Sequence, residues 1–168
     1  MPMGKSGGHA AVFFGVVLAS LLIKLFVFDI RLVSGSSMSP ALQDGALVAE
    51  FKLAWGIHLP LRNNYLVRWS EPRPGDVVIY PWNGRYVIKR CVATAGTALV
   101  FSEKPEYSVH IGELTIPLTR EQYIKMKNAE RVPEGMIFAL GDNMTESRDS
   151  RHYGFVSIDS IRGKLVWQ

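Results

Sequence analysis

An apolar run near the N-terminus constrains the fold of this chain more than any other feature. Residues 10–28 form a run of 19 residues with a single charged side chain, Lys24. As a helix that rises about 1.5 Å per residue, this run nearly spans a bilayer hydrocarbon core of about 30 Å. Lys24 lies close to the C-terminal end of the run, where its long side chain can reach the lipid headgroups.

Three interpretations of this apolar run are possible. A cleaved signal peptide would have a shorter apolar core followed by a small-x-small site, whereas residues 28–31 (Phe-Asp-Ile-Arg) are a poor cleavage site. A buried core helix would carry polar residues on one face, and this run carries almost none. We therefore predict a retained transmembrane helix over residues 10–28. Residues 1–9 carry Lys5 and no acidic side chain, so we expect them to be cytoplasmic and residues 29–168 to lie outside the cytoplasm.

Charge and composition exclude several other classes of protein. The net charge of +4 is spread without a dense Lys/Arg run, so we expect no nucleic-acid partner, and a weakly basic surface suits anionic lipid. The lone cysteine, Cys91, excludes an intrachain disulfide and a multi-cysteine zinc site, and it is predicted to be a buried apolar filler beside a strand. The four histidines lack metal-ligand spacing and are interpreted as surface or packing residues, so no metal and no cofactor are expected. They are His9, His58, His110 and His152.

Beyond residue 30, short apolar runs alternate with turn sequences. The runs are rich in Val, Ile, Leu and aromatic residues and predict strands. They cover residues 46–51, 76–80, 86–89, 136–140 and 161–166. Asn83-Gly84 predicts a hairpin, and residues 119–127 predict a short helix that Thr119 can cap.

These elements together indicate a mainly β fold. Residues 97–134 are the least strand-like part of the chain and are interpreted as a short inserted cap between two core strands. The predicted fold is therefore an antiparallel β-sheet domain with this short inserted cap, preceded by one N-terminal transmembrane helix.

Lys89 is the residue with the most unusual setting, because it lies inside an otherwise apolar strand. Desolvation disfavours the charged form and lowers a lysine pKa, and a neutral amine can take a proton from a serine hydroxyl. A serine–lysine pair therefore needs no histidine. Taken alone, however, a lysine in a strand is more often an edge residue that faces water. A serine such as Ser37, in a Gly/Ser/Pro-rich turn, is likewise more often only a turn residue.

Three short motifs in order change this balance, because together they resemble the bacterial type I signal peptidases, the serine–lysine leader peptidases of family S26. The order and spacing agree from about residue 33 to residue 156. The nucleophile box is matched by Ser37-Met38-x-Pro40 with Leu42, the general-base box by Lys89-Arg90, and the last box by Gly141-Asp142-Asn143 with Ser147-x-Asp149-Ser150-Arg151 and Gly154. Residues 51–57 and 73–79 are similar to further segments of the family.

The resemblance implies a membrane-bound serine endopeptidase that removes signal peptides through an acyl-enzyme. Ser37 would attack the scissile carbonyl, and its amide would donate a hydrogen bond to the oxyanion. Lys89 would be the general base, and Ser147 would orient it through a hydrogen bond. The other implied supporting residues are an Asp149–Arg151 ion pair, Arg90 beside it, and Asp142 and Ser150 behind them.

The resemblance also implies how substrate binds. Val33 and Ile88 would line pockets for small side chains, and the extended substrate would add as a strand. Gly35, Met38 and Leu42 are also assigned to substrate binding. Gly35 departs from members that supply a serine hydroxyl to the oxyanion at this position, so that donor is absent here. Glu146 replaces an asparagine that is common in the family.

The apolar helix and the site fit one another. Ser37 lies nine residues beyond Phe28, which is at most about 30 Å of extended chain, so the nucleophile stays near the membrane surface. Tethering enzyme and substrate to one bilayer raises their effective concentration. The implied partners are the signal peptides of exported preproteins and the lipid bilayer, with the catalytic domain on the periplasmic or extracytoplasmic side of the inner (plasma) membrane.

Three other functions compete with this interpretation. A specialised peptidase for pilins or for a single co-encoded substrate would use the same chemistry. A self-cleaving serine–lysine repressor should begin with a soluble helix-turn-helix, where this chain has an apolar span. A non-catalytic β module is disfavoured by the joint presence of Ser37, Lys89 and Ser147.

Overall fold

The computed structural model describes residues 6–59 and 64–167, and it begins with one long helix, α1 (Ser6–Phe26). The stretch Gly8–Phe26 has a mean hydropathy of 2.1, its side chains are not buried, and it is long enough to cross a membrane. The predicted N-terminal helix is thus confirmed, with one correction to its boundaries. It ends at Phe26 because Phe28 is already the first residue of a strand, paired with Phe51.

The rest of the chain is mainly antiparallel sheet, as predicted. Its strands are β1 (Phe28–Leu32), β2 (Leu47–Phe51), β3 (Gly56–His58), β4 (Tyr65–Arg68), β5 (Val77–Trp82), β6 (Arg85–Thr94), β7 (Val100–Ser102), β8 (Ser108–Ile111), β9 (Leu114–Pro117), β10 (Met136–Leu140), β11 (Val156–Ser157) and β12 (Gly163–Trp167). Its helices are α2 (Arg120–Met126), α3 (Ser150–Tyr153) and a 3₁₀ turn (Ile158–Ser160). Each of the five predicted strands is present, as β2, β5, β6, β10 and β12.

Seven strands form the main sheet, in the order β1-β2-β12-β5-β6-β10-β11. The predicted hairpin at Asn83-Gly84 joins β5 to β6, and both residues have the positive φ that such a turn needs. Because β6 pairs directly with β10, the chain between them leaves the main sheet. That segment holds the three-stranded sheet β7-β8-β9 and α2, so it is richer in strand than its sequence suggested. Helix α2 begins with the expected cap, since Thr119 accepts a hydrogen bond from the amide of Gln122.

Strand β10 shows why the core has two sides. Ile137 and Ala139 pack in one buried cluster with Cys91, whereas Phe138 and Leu140 pack in another against the inserted segment. Successive side chains of a strand point to opposite faces, so a strand covered on both faces is apolar throughout. Cys91 is fully buried, as predicted, and this burial raises the pKa of its thiol to about 12.

Two strand edges without a partner face one another across a groove. Among the described residues, β1 pairs with β2 alone, and residues 85–89 of β6 pair with β5 alone, since β10 pairs with β6 only from Arg90 onward. The groove between these edges has a volume of about 350 Å³. It is lined on the β1 side by residues 30–35 and Ser37 and on the β6 side by residues 86–89.

Candidate active site

A buried lysine meets a serine hydroxyl at the end of this groove. Nζ of Lys89 lies 2.7 Å from Oγ of Ser37, within hydrogen-bonding distance. Lys89 lies in β6 two residues before the buried Cys91 and is itself only 3% exposed, so the alternative of an edge lysine in water is wrong. Burial lowers the pKa of the Lys89 amine, and the charges of Asp149 and Asp142 offset part of that effect.

The turn that carries Ser37 is held at both ends. Gly35 has a φ of +91°, in the left-handed region that glycine adopts readily, and its amide donates a hydrogen bond of 2.8 Å to Asp44 Oδ1. After the serine, Met38 is buried beneath the turn. The amide of Asn143 donates to the carbonyl oxygen of Ser37 at 3.1 Å, which ties the turn to the chain beyond β10. The hydroxyl is therefore presented to the groove by a fixed backbone.

Gly141 allows the chain beyond β10 to lie close against the turn that carries Ser37. This glycine was missing from the predicted site residues. A Cβ at this position would collide with the side chain of Ser147 and with the carbonyl oxygen of Ser37. Ser147 itself is buried, and its hydroxyl helps lower the pKa of Asp149. Within the described residues no hydrogen bond joins Ser147 to Lys89, whose amine is directed at Ser37. The signal that could have found Gly141 was the glycine that opens the third motif.

We expect Gly141→Ala to destabilise the protein by about 1–3 kcal/mol, because an added methyl group in a packed site forces neighbouring atoms to move. The free energy of unfolding in denaturant, measured in detergent, checks this. Gly15→Ala is the matched control, since nothing lies within 4 Å of a Cβ there. Equal denaturation midpoints for Gly141→Ala and the wild type would contradict the close approach.

Asp149 and Arg151 form a buried ion pair behind the lysine, as the resemblance implied. Arg151 donates from Nε to Asp149 Oδ1 and from Nη2 to Oδ2, each at 2.9 Å. Asp149 is fully buried and also accepts a hydrogen bond from the amide of Gly141 at 3.2 Å. Burial alone would raise the pKa of Asp149, but the two hydrogen bonds from Arg151, the nearby hydroxyl of Ser147 and the charge of Arg151 outweigh it and lower that pKa. The Ser147 hydroxyl itself forms no hydrogen bond of standard geometry within the described residues.

Ser150 and Arg90 fasten the strands around the site. The pairing of β10 with β6 shifts register between Phe138 and Ala139, and the amide of Ala139 donates instead to Ser150 Oγ at 3.0 Å. Arg90 donates two hydrogen bonds to Asp142, at 2.8 and 2.7 Å, which join β6 to the segment after β10. The hydrogen bonds with Asp142 raise the pKa of Arg90.

The structure divides the residues that were assigned to substrate binding. Val33, Gly35 and Ile88 line the groove. Met38 and Leu42 do not: they are 2% and 3% exposed and pack, together with the 4% exposed Val33, in a cluster under the turn that carries Ser37. Their position supports the turn from below.

The histidines have other contacts. His152 accepts from the amide of Asp149 and lies 3.0 Å from the side-chain amide of Gln122, so it joins α3 to α2. His58 contacts Arg162, and His110 contacts Thr115. Within the described residues, none of them forms a hydrogen bond with Ser37 or Lys89.

The fold and the site define an antiparallel β protein that has a buried amine–hydroxyl pair and an N-terminal helix able to span a membrane. The family described as "Signal peptidase, peptidase S26" matches residues 7–168, and the chain belongs to that family. Its relatives include a signal peptidase I from Bacillus caldolyticus, 32% identical, with 94% of this chain and 88% of the relative covered. Signal peptidase I T from Bacillus subtilis is 30% identical, over 88% of this chain and 76% of the relative.

Two further similarities are to proteins of lower identity. A probable signal peptidase I-1 from Synechocystis is 28% identical, over 90% of this chain and 76% of that protein. A solved signal peptidase I structure from Enterococcus faecalis V583 is 27% identical, covers 58% of this chain and 98% of its own, and has a TM-score of 0.42.

Proposed function

We propose that this protein is a membrane-bound endopeptidase that removes N-terminal signal peptides from exported preproteins by serine–lysine acyl-enzyme chemistry. The observation that supports it most is the 2.7 Å contact between Lys89 Nζ and Ser37 Oγ at a buried lysine. A lysine whose pKa is lowered by burial supplies the neutral amine that this chemistry needs.

In the proposed reaction the neutral Lys89 amine accepts the proton of the Ser37 hydroxyl as Oγ attacks the scissile carbonyl. The amide of Ser37 has no acceptor among the described residues and is available to the oxyanion, a contact worth about 3 kcal/mol in comparable enzymes. When the tetrahedral intermediate collapses, the Lys89 ammonium gives its proton to the leaving amine. The Lys89 amine, neutral again, then activates the water molecule that hydrolyses the acyl-enzyme.

The groove between β1 and β6 suits an extended substrate. Both of its edges have backbone groups without strand partners among the described residues, so a peptide can add as a strand between them. Val33 and Ile88 stand on the two walls beside Ser37. Apolar side chains at these places would select small residues before the cleaved bond, as in a small-x-small signal peptide site.

An exposed apolar face continues from α1 onto the sheet and supports a position on the bilayer. Its residues are Phe28, Ile30, Leu32 and Leu47, of which Ile30 is 72% exposed. Contiguous exposed apolar surface of this kind marks an interaction site. With α1 crossing the membrane and its N-terminus in the cytoplasm, this face would rest on the outer leaflet and hold the groove there.

The test uses the purified full chain in lipid nanodiscs with a purified preprotein, and the N-terminus of the product is sequenced. We expect one cut directly after the small-x-small site. A preprotein with Phe in place of the last small residue is the control and should resist cleavage. No product, or cleavage at unrelated sites, would overturn the proposed function.

A further inference from the structure

The membrane helix joins the sheet directly. Helix α1 ends at Phe26 and β1 begins at Phe28, so a single residue, Val27, lies between them. The amide of Val27 donates back to the carbonyl oxygen of Ile23 in the helix at 2.8 Å. Its own carbonyl oxygen accepts, also at 2.8 Å, from the amide of Lys52, the residue that follows β2. The last bond of the helix and the first bond to the sheet therefore belong to the same residue.

The side chain of Lys52 connects the same two elements. Its Nζ donates a hydrogen bond of 2.7 Å to the carbonyl oxygen of Lys24 in α1 and lies 3.1 Å from Oδ2 of Asp29 in β1. In a continuing helix the amide of residue 28 would bond the carbonyl of Lys24, but Phe28 already pairs with Phe51 in the sheet. The ammonium takes the place of that amide, and its charge suits the negative end of a helix dipole. These contacts of Lys52 with Lys24 and Asp29 form a clasp between α1 and the sheet.

The strand that follows the clasp is held along its length. β1 pairs with β2 at five consecutive positions, and the rings of Phe28 and Phe51 lie 5.0 Å apart at the first of them. Arg31 donates from Nε to the buried carboxylate of Glu50 at 2.5 Å. The guanidinium of Arg31 also lies 4.2 Å from the ring centroid of Tyr86, which braces β1 against β6.

The chain between β1 and the nucleophile is held as well. The amide of Val33 donates to the carbonyl oxygen of Ala46 at 2.8 Å, which continues the pairing of β1 with β2. The next contact is that of the Gly35 amide with Asp44, at the start of the turn that carries Ser37. A helix fixed in the bilayer and a nucleophile fixed relative to that helix define one distance between the bilayer and Ser37.

We propose that Lys52 is a positioning residue, which holds the sheet at a fixed angle to α1 and so restricts cleavage to bonds at one distance from the apolar core of a membrane-held substrate. The inference rests on the proposed function and adds to it the residue that sets this distance. Two residues of extended substrate change its reach by about 7 Å, and a misplacement of about 1 Å can lower a rate by about 10²-fold. Without the Lys52 side chain the junction keeps its backbone bond at Val27 but loses the two contacts that resist tilting.

The experiment uses preproteins that differ only in the number of residues between the apolar core and the small-x-small site, in steps of two. The full chain is assayed in nanodiscs, and kcat/KM is measured for each spacer length. We expect the wild type to have one best length and to lose about tenfold in kcat/KM when the spacer is two residues longer or shorter. In Lys52→Met the sheet can tilt to meet other lengths, so the same change of spacer should cost less than about threefold.

A soluble peptide with the same cleavage site but no apolar core separates positioning from catalysis. Because no bilayer restrains this peptide, the wild type and Lys52→Met should cleave it at the same rate. A general loss of folding or of active-site geometry would lower that rate as well.

Two control variants keep the clasp or leave it untouched. Lys52→Arg should retain the sharp dependence on spacer length, because a guanidinium can donate to a carbonyl oxygen and a carboxylate together. Lys164→Met removes a lysine of β12 that pairs with Asp76 at 2.6 Å, and its spacer profile should match that of the wild type.

Asp29→Asn decides the question if Lys52→Met does not fold, since it retains the bond to Lys24 and removes only the charge partner. Its loss for a changed spacer should fall to about fivefold. A flat profile in the wild type, or a wild-type profile in both clasp variants, would overturn the role of Lys52. An equal loss by Lys52→Met on every preprotein and on the soluble peptide would overturn it too, because Lys52 would then support only the active site. If the wild type cleaves no preprotein of any spacer length, the proposed function fails instead.

Discussion

Lys89→Met is expected to reduce preprotein cleavage by about 10⁴-fold or more, because serine hydrolases that lose their base retain only residual catalysis. Methionine is close to lysine in length and suits a position that is 3% exposed, so the protein should remain folded. The variant keeps the groove and the Ser37 turn but has no group to take the hydroxyl proton. Single-turnover kinetics in nanodiscs, with circular dichroism as the check on folding, measures the effect.

Two further variants make the result specific. Ser37→Ala should lose as much activity as Lys89→Met, and the double variant should lose no more, since residues that act as a unit are not additive. Lys164→Met removes a lysine from β12 that pairs with Asp76 outside the groove, and its rate should stay near that of the wild type. Substantial cleavage by Lys89→Met would exclude this lysine as the base.

The pH profile of the wild type should follow the same amine. The reaction needs the neutral form of Lys89, and burial lowers the pKa of that amine, so the active form is more abundant near neutrality than for an exposed lysine. The rate kcat/KM should rise with pH through this lowered pKa and fall toward acid pH as the amine becomes charged. A rate that grows as the pH falls would contradict a neutral-lysine base.

The sequence was most informative where a pattern is local. The apolar helix, the five long strands and the Asn83-Gly84 turn depend on neighbouring residues, and the structure contains all of them. Strand β1 was missed although Phe28, Ile30 and Leu32 alternate with Asp29 and Arg31, because its first residue was counted in the membrane span. The strands of the inserted segment were missed because they have only three or four residues each.

Contacts between distant segments were harder to predict. The meeting of Arg31 with Tyr86 depends on a seven-stranded sheet that curves until two edges face one another, and no short pattern encodes that curvature. The sequence motif contains Met38 whether its side chain lines the groove or packs beneath it. Only the structure, in which Met38 belongs to a buried cluster, distinguishes these two positions. The pairing of the Ser37 hydroxyl with the Lys89 amine could be predicted because the two motifs that contain these residues resemble a known family.

Arg151→Met is expected to reduce the free energy of unfolding by about 3–5 kcal/mol at pH 7, the usual effect of removing one partner from a buried ion pair. Asp149 would remain fully buried without the two hydrogen bonds and the charge that offset its desolvation. The carbonyl oxygen of Met144 would also lose a donor, since Arg151 Nη2 reaches it at 2.8 Å. Denaturant unfolding in detergent, followed by tryptophan fluorescence, measures the difference.

The pH dependence of the stability lost in Arg151→Met distinguishes an ion pair from simple packing. In the wild type the folded-state pKa of Asp149 is lowered, so its contribution to stability is present above the unfolded value of about 3.9 and is lost as the pH falls through the folded value. In Arg151→Met the amides of Gly141 and of residue 151 still donate to Asp149, but the guanidinium is gone, so burial raises the pKa of Asp149 above its wild-type folded value. The carboxyl group then protonates as the pH falls, and the free-energy cost of burying its charge shrinks. The difference in free energy of unfolding between the wild type and Arg151→Met should therefore become smaller between pH 7 and pH 4. Arg68→Met is the control, because its partner Asp159 is 58% exposed and such a pair contributes about 1 kcal/mol or less at any pH. A gap that stays constant across this range would mean that Arg151 stabilises the site by filling space, and the buried charge of Asp149 would need another partner.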